Sequence, residues 1–354
     1  PAIEAELIAN GCSVDRHLPS ILKLCVRSKT KLGLFCLDQR HFYQHHGVGV
    51  DVVETVRKFG VKTASIQHGG TRQDAVQGLA SSVSDVILVW GERIYRELQA
   101  QYQVAPERLR IVGNHLHDRI PKIDPEQVRA QIQQLAPSFR TQGKKVVLLA
   151  TCLHSEYVNR DNEQEAYRQY IQHLYASLDF SQVCLIVKMH PADSVAPNLY
   201  AQYLPEAVQN SVLILDPSQT QLDIYSLLLV CDLLVTRAST VAEEALMLGK
   251  SVVAFDLDQS GPSSAYLHLK EYGQFRIVYQ DPAIALCETV LSALETPVDL
   301  AQDVTADMTY RLDGRSCDRA VDALLNLLKT DDDRKSLLSP IESRPTEIAS
   351  ELCQ

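Results

Sequence analysis

Ten short apolar runs punctuate the chain, and most break abruptly into a polar turn. Leu32–Leu37, Val61–Ile66, Asp85–Val89 and Leu109–Val112 form one group. Lys145–Ala150, Val183–Lys188, Val212–Leu215, Leu233–Thr236, Ser251–Phe255 and Arg276–Val278 form another. Runs of this length bounded by turn residues are the pattern of strands covered on both faces. Helical periodicity fills most gaps. Val52, Val53, Val56 and Phe59 share one face of a helix over 50–59, which Gly60 ends. Further helices are predicted over 93–101, 125–135, 163–177, 198–203, 221–229, 240–248 and 318–328, the last with Val321, Leu324, Leu325 and Leu328 on its apolar face. Two more are expected over 2–8 and 16–26, and residues 67–84 read as a loop.

Strands alternating with helices predict an α/β protein with parallel sheets. A length of 354 residues exceeds one ordinary core. The expectation is two Rossmann-like, doubly wound domains facing a cleft: residues 1–120, a hinge over 121–143 carrying Pro121 and Pro125, residues 144–329, and a polar tail over 330–354. The first layer is short, and the chain opens on Pro1, so elements upstream are expected to be missing.

Charge narrows the partners. A net charge of −10 argues against nucleic acid, which needs clustered Lys and Arg. Peripheral contact with a membrane through a small basic patch stays open. No apolar run approaches the ~18 residues of a bilayer span. Nine cysteines occur with no C-x-x-C, and Cys36 and Cys184 sit inside apolar runs. That pattern predicts buried reduced thiols, a cytoplasmic setting and no zinc site. Three histidines in 41–46 have no common metal-ligand spacing.

The candidate chemistry lies at strand ends, where open parallel sheets bind ligands. The run ending Lys188-Met189-His190-Pro191 and the run ending Arg237-Ala238-Ser239-Thr240 would lie side by side. Together they offer two cations, an imidazole, two hydroxyls and a helix start, the parts of a phosphate or diphosphate site. Lys188 and His190 would face a leaving diphosphate, or Pro191 simply ends the strand. Thr240 and Glu243, three apart, suit a capping box, which would leave Ser239 for a ligand. Arg237 is either a phosphate clamp or half of an ion pair. His68, followed by Gly69-Gly70, is either a general base toward a hydroxyl or a loop histidine bonded to a carbonyl. Asp256-Leu257-Asp258 formally matches a D-x-D metal motif but reads as an acid after a strand. Trp90 would stack on a ligand or be buried.

In order along the chain, Lys62–Gly69 with its Gln67-His68-Gly69 turn, Val89-Trp90-Gly91-Glu92, Arg110–Asn114, Lys188-Met189-His190-Pro191, Ser239–Ala245 and Arg311–Arg315 resemble the turns of bacterial surface-carbohydrate enzymes of the GT-B fold. Within that fold, the turns resemble those of capsule-type glycosyltransferases and the CDP-glycerol glycerophosphotransferases. The resemblance implies transfer of a sugar or sugar-like unit from a nucleotide-activated donor, of UDP or CMP/CDP type, to a hydroxyl of a surface glycan or glycolipid at the inner face of the membrane. It also implies no metal or other cofactor, His68 as base, and Glu244 accepting from the ribose hydroxyls. Gln67, Gly69, Gly70 and Asp256 would lie near acceptor or sugar. The nucleotide-sugar 2-epimerases share the fold, an H-P turn and an E-E-A helix start. They rank second because Arg237–Thr240 lacks the paired glycines expected before that helix. A third reading is a non-catalytic partner that binds a nucleotide or an active subunit.

Overall fold

The computed structural model describes residues 29–36, 38–40, 48–139, 141, 143–151, 161–190, 199–218, 220–237, 239–256, 259, 262–279, 286–296 and 302–337. The expectations for 2–26, the histidines of 41–46, Leu257-Asp258 and the tail beyond 337 lie outside them.

The first sheet is β1 (Leu32–Phe35), β2 (Lys62–Ile66), β3 (Val86–Val89) and β4 (Leu109–Ile111), all parallel and in that order. Its helices are α1 (Val48–Lys58), α2 (Gln73–Ala80) and α3 (Glu92–Ala100). α1 has Asp51 in its first turn and Arg57 and Lys58 in its last, as the helix dipole favours. Gly60 follows at φ +77°. Phe59 does not share the buried face of Val52, Val53 and Val56: it lies past the helix end and is 52% exposed. The segment read as a loop contains α2, which begins without a side-chain cap at Arg72 and carries Gly78 inside it, so its sequence signal is weak.

On one face of this sheet, Ile87, Val89 and Leu109 pack with Val76 and Leu79 of α2 and Ile94 and Leu98 of α3. Asp38, fully buried beyond β1, accepts from the hydroxyls of Ser65, Ser82 and Ser84 and from the Ser84 amide at 2.6–3.1 Å. These donors satisfy its buried oxygens. Cys36 is exposed, contrary to the expectation of a buried thiol, because β1 ends at Phe35. Cys184 is buried, and burial raises its thiol pKa to about 11.

Between the sheets, Asp124 caps α4 (Pro125–Leu135), with proline at the first helical turn. Pro121 lies inside a 3-10 helix, His115–Lys122. The second sheet comprises β5 (Lys145–Ala150), β6 (Val183–Lys188), β7 (Val212–Leu215), β8 (Leu233–Thr236), β9 (Ser251–Asp256) and β10 (Phe275–Tyr279). Its order is β10-β9-β8-β5-β6-β7, all parallel. Alternate residues feed two cores: Leu148, Ile186, Leu234 and Val252 on one face, Leu149, Leu185, Val235 and Val253 on the other. The associated helices are α5 (Asp161–Ser177), α6 (Leu199–Gln202), α7 (Ile224–Val230), α8 (Val241–Met247), α9 (Leu286–Glu295) and α10 (Gln302–Thr309).

The last helix, α11 (Ser316–Leu337), returns to the first sheet. Its Ala320, Ala323, Leu324 and Leu327 cover Ala64, Val86, Leu88 and Val112. Asp118 anchors its start, accepting from the Ser316 and Cys317 amides at 2.7 and 2.8 Å. Val321 and Leu325, read from sequence as core-facing, are 52% and 48% exposed. Among the described residues no helix is long and apolar enough to cross a membrane.

Candidate functional site

The order of the second sheet reverses at β5: β6 and β7 lie to one side, β8, β9 and β10 to the other. Ligand crevices form at such a switch, outside the carboxyl ends of the strands. Register aligns the ends, since Ala150 pairs with both Lys188 and Thr236. The two turns singled out in the sequence therefore flank β5. Thr151, just past β5, ties down one of them by accepting the His190 amide at 2.8 Å.

Lys188 is half-buried, and that burial lowers its pKa against the raising pull of Asp223 and Asp216. An anion seated there would restore the ammonium's preference for charge. His190 is partly exposed. Across β5, Arg237 Nε donates to the fully buried Asp256 at 3.0 Å, and the Ser263 amide donates to the other Asp256 oxygen at 3.1 Å. The Ser263 hydroxyl also reaches the Arg237 carbonyl. Both the arginine and the acid thus brace the β8 turn. The Arg237–Asp256 pair accounts for the acid without a metal, and among the described residues no cluster of His, Cys, Asp and Glu suits one.

The capping expectation is corrected. Thr240 makes no side-chain cap, and it is the Ser239 hydroxyl that accepts the Val241 amide, at 3.2 Å. Thr240 has φ −58° and ψ −18°, inside the helical region, so its side chain cannot take the cap position. Glu243 closes no capping box. It turns to the first domain, where it accepts from the Thr71 amide at 2.8 Å.

Glu244 faces the boundary between the domains. Its Oε1 accepts from Tyr225 at 2.9 Å and lies 3.6 Å from His117 Nε2. His117 is buried, with Nδ1 2.8 Å from the Thr309 hydroxyl and Nε2 3.1 Å from Asn114 Nδ2. Asn114 Oδ1 accepts the Leu116 amide, which fixes the orientation of that side-chain amide. Nε2 of His117 is therefore the acceptor and Nδ1 carries the hydrogen. Replacing Tyr225 with Phe should remove about 1 kcal/mol of stability, read from urea unfolding; no change would mean that Glu244 is held by other groups.

In the first domain, Gln67 is buried and structural. Its Nε2 donates to the Gly69 carbonyl at 2.7 Å, and its Oε1 accepts the Trp90 amide at 2.8 Å. It thereby locks the β2 and β3 turns together. His68 is exposed at the end of β2, and Gly70 lies against Glu243. Trp90 sits beside His117, ring centres 6.4 Å apart, and its buried indole N–H has no partner among the described residues. Residues that the sequence reading missed build the wall between the domains: Thr71, Arg93, His117, Tyr272, Asp307 and Thr309. Tyr272 accepts from Arg93 and donates to Asp307, both at 3.0 Å, and Arg96 donates to Asp307 at 2.6 Å. Gly70 and Gly91, each at a strand-end turn, are the sequence signals of close approach there: a Cβ on either would collide with Glu243 or with the Asp307 backbone.

Similarities to known proteins follow this geometry. The crystal structure of UDP-GlcNAc 2-epimerase from Neisseria meningitidis bound to UDP-GlcNAc superposes with a TM-score of 0.59 at 16% identity, covering 87% of this chain and 80% of that one. The enzyme of the same name from Methanocaldococcus jannaschii, in complex with UDP-GlcNAc and UDP, gives 0.57 at 15%, covering 87% and 79%. A variant of the wall teichoic acid polymerase TagF gives 0.51 at 13%, covering 78% and 70%. These likenesses show the fold, two Rossmann-like domains in the GT-B arrangement. No curated protein matches the sequence significantly. The family model described as UDP-N-acetylglucosamine 2-epimerase matches residues 60–260, more than half of the 354 residues. The match spans the turn whose missing glycines had ranked this family second. No described residue of the turn has positive φ, and Ser239 and Ser263 hold it by hydrogen bonds. The ranking is reversed: the chain belongs to the UDP-N-acetylglucosamine 2-epimerase family.

Proposed function

We propose that the protein binds a nucleoside-diphosphate sugar of the UDP-GlcNAc class at the carboxyl end of the second sheet and inverts its C2 centre. The observation that carries this reading is the pair of turns flanking β5, with Lys188 and Thr236 both level with Ala150, in a chain of this family. Lys188, His190, Ser239 and Thr240 offer a cation, a partly exposed imidazole and two hydroxyls to the diphosphate. Arg237 and Asp256 support them by shaping the turn. Glu244, oriented by Tyr225, offers its Oε2, which accepts from no described residue, to the two ribose hydroxyls.

Inverting C2 directly breaks and remakes a C–H bond, so the site must take up and return a proton. Incubation with UDP-GlcNAc in D2O without acceptor should give the C2 epimer with deuterium at C2, read by NMR. Absence of both exchange and epimer would sink the proposal. A Ser239→Ala, His190→Ala double variant should bind UDP at least about tenfold more weakly, or ~1.4 kcal/mol.

Transfer to an acceptor hydroxyl is the second reading. It is favoured by His68, an exposed imidazole beside Gly69-Gly70 at the end of β2, since an imidazole is well matched to deprotonating a bound hydroxyl. Under it, the same D2O experiment shows no exchange, and UDP release begins only when a glycan acceptor is added.

A further inference from the structure

Glu244 is oriented by the Tyr225 hydroxyl, which donates to it at 2.9 Å. Tyr225 is buried, and burial together with Glu244 raises the phenol pKa, so the hydroxyl stays protonated and donates. The same ring carries Arg119. The guanidinium carbon lies 4.7 Å from the ring centre, and Nη1 stands 3.2 Å from Asp223 Oδ2. Asp223 is fixed in turn, because its Oδ1 accepts the Ser226 amide at 2.8 Å and caps α7. His117 meets the same ring edge to face, centres 5.4 Å apart. A buried ring and a capping carboxylate thus hold the guanidinium in place, although the Arg119 side chain is 51% exposed.

Ordering a long side chain costs entropy, and an exposed ion pair offsets little of it. An arginine ordered before its ligand arrives, however, binds with less loss. Other arginines along the domain boundary are engaged by the fold: Arg237 by Asp256, Arg93 by Glu97, Glu271 and Tyr272, Arg96 by Asp307. Arg119 has five N–H groups and, among the described residues, one carboxylate partner, Asp223. Its position follows from the nucleotide site. Ser239 and Glu244 are five residues apart at the start of α8, roughly 7 Å along a helix axis. That span suits the step from a diphosphate to the ribose hydroxyls of one nucleotide. Tyr225 and then Arg119 lie one and two contacts beyond Glu244.

We propose that Arg119 is the platform for the nucleobase: the base stacks on the side of the guanidinium turned away from Tyr225, while Tyr225 holds Glu244 to the ribose of the same nucleotide. A guanidinium is planar, weakly hydrated and stacks on aromatic faces. The Tyr225 ring behind it adds cation–π attraction, which keeps the plane where the base needs it. The base then lies at the start of α7, and the diphosphate at the β6 and β8 turns. The two subsites adjoin, since Asp223 is near enough to Lys188 to act on its charge. This assignment rests on the nucleotide-sugar reading and deepens it, through a residue that the sequence pattern did not single out.

Calorimetric titration of the full chain with UDP and with inorganic diphosphate separates the base from the phosphates. Wild type should bind UDP more tightly than diphosphate. Arg119→Ala should weaken UDP binding at least about tenfold. Diphosphate binding should weaken by no more than about threefold, because solvent screens an exposed cation. Arg119→Lys keeps the charge and loses the plane, so it should weaken UDP nearly as much as the alanine does. Equal weakening of both ligands, or wild-type UDP affinity in either variant, overturns the platform. So does a wild type that binds UDP no more tightly than diphosphate. The nucleotide-sugar reading fails separately. It falls, and the platform with it, if wild type binds neither ligand; it stands if wild type binds UDP and only the Arg119 variants go against expectation.

Discussion

Gly91→Ala should unfasten the two domains. A Cβ at this position would overlap the Asp307 carbonyl oxygen and lie 2.5 Å from its carbon and 2.9 Å from the Ala306 oxygen. These are backbone atoms of α10, and they cannot rotate aside as a side chain would. The strand-end turn and α10 must therefore separate, which breaks the Arg93–Tyr272 bond and the Arg96–Asp307 ion pair that cross the same seam. Arg96 is more than half exposed, so its ion pair contributes little; the overlap and the loss of packing dominate. A loss of about 3 kcal/mol is expected. Urea unfolding should split from one transition into two as the domains uncouple. One unshifted transition would show that α10 can slide without loss.

Asp256→Ala should lower stability by about 2–3 kcal/mol and nucleotide affinity with it. The carboxylate is fully buried and holds both the Arg237 guanidinium and the Ser263 amide. Removing it takes a buried acceptor from a cation and an amide together. The full ~3–5 kcal/mol of a broken buried pair is reduced because the Arg237 side chain keeps 19% exposure and lies 6.0 Å from the Tyr170 ring centre. Asp256→Asn, which keeps an acceptor for one partner, should lose about half as much. The β8 turn that presents Ser239 and Thr240 starts at Arg237, so UDP binding should weaken in step with stability. Weakened folding with unchanged UDP affinity would detach this turn from the nucleotide site.

Strands were legible because burial on both sheet faces writes itself as unbroken apolar runs. Val183–Lys188 and Leu233–Thr236 match their predicted bounds. Helices that rest on tertiary contact were not. α2 lacks a cap, and α10 (Gln302–Thr309) is too short and polar to show a periodic face. Candidate residues were readable by type and by strand-end position, but not by partner. Arg237 could be read as either clamp or ion pair until Asp256, 19 residues away, was placed beside it. The two acids of α8 look alike in sequence. Only the fold, by bringing Thr71 across 172 residues, gives Glu243 an interdomain role and leaves Glu244 to the cleft.

The return of α11 to the first sheet has a consequence for how the chain matures on the ribosome. Ala64, Val86, Leu88 and Val112 are synthesised about 200–250 residues before the helix that covers them. At about 5–20 residues per second, that apolar face waits roughly 10–50 s for its lid. The first-made domain is therefore among the last to be completed. During that interval the newborn chain presents an uncovered sheet face that a chaperone can occupy, and arrest of synthesis before Ser316 should leave it aggregation-prone.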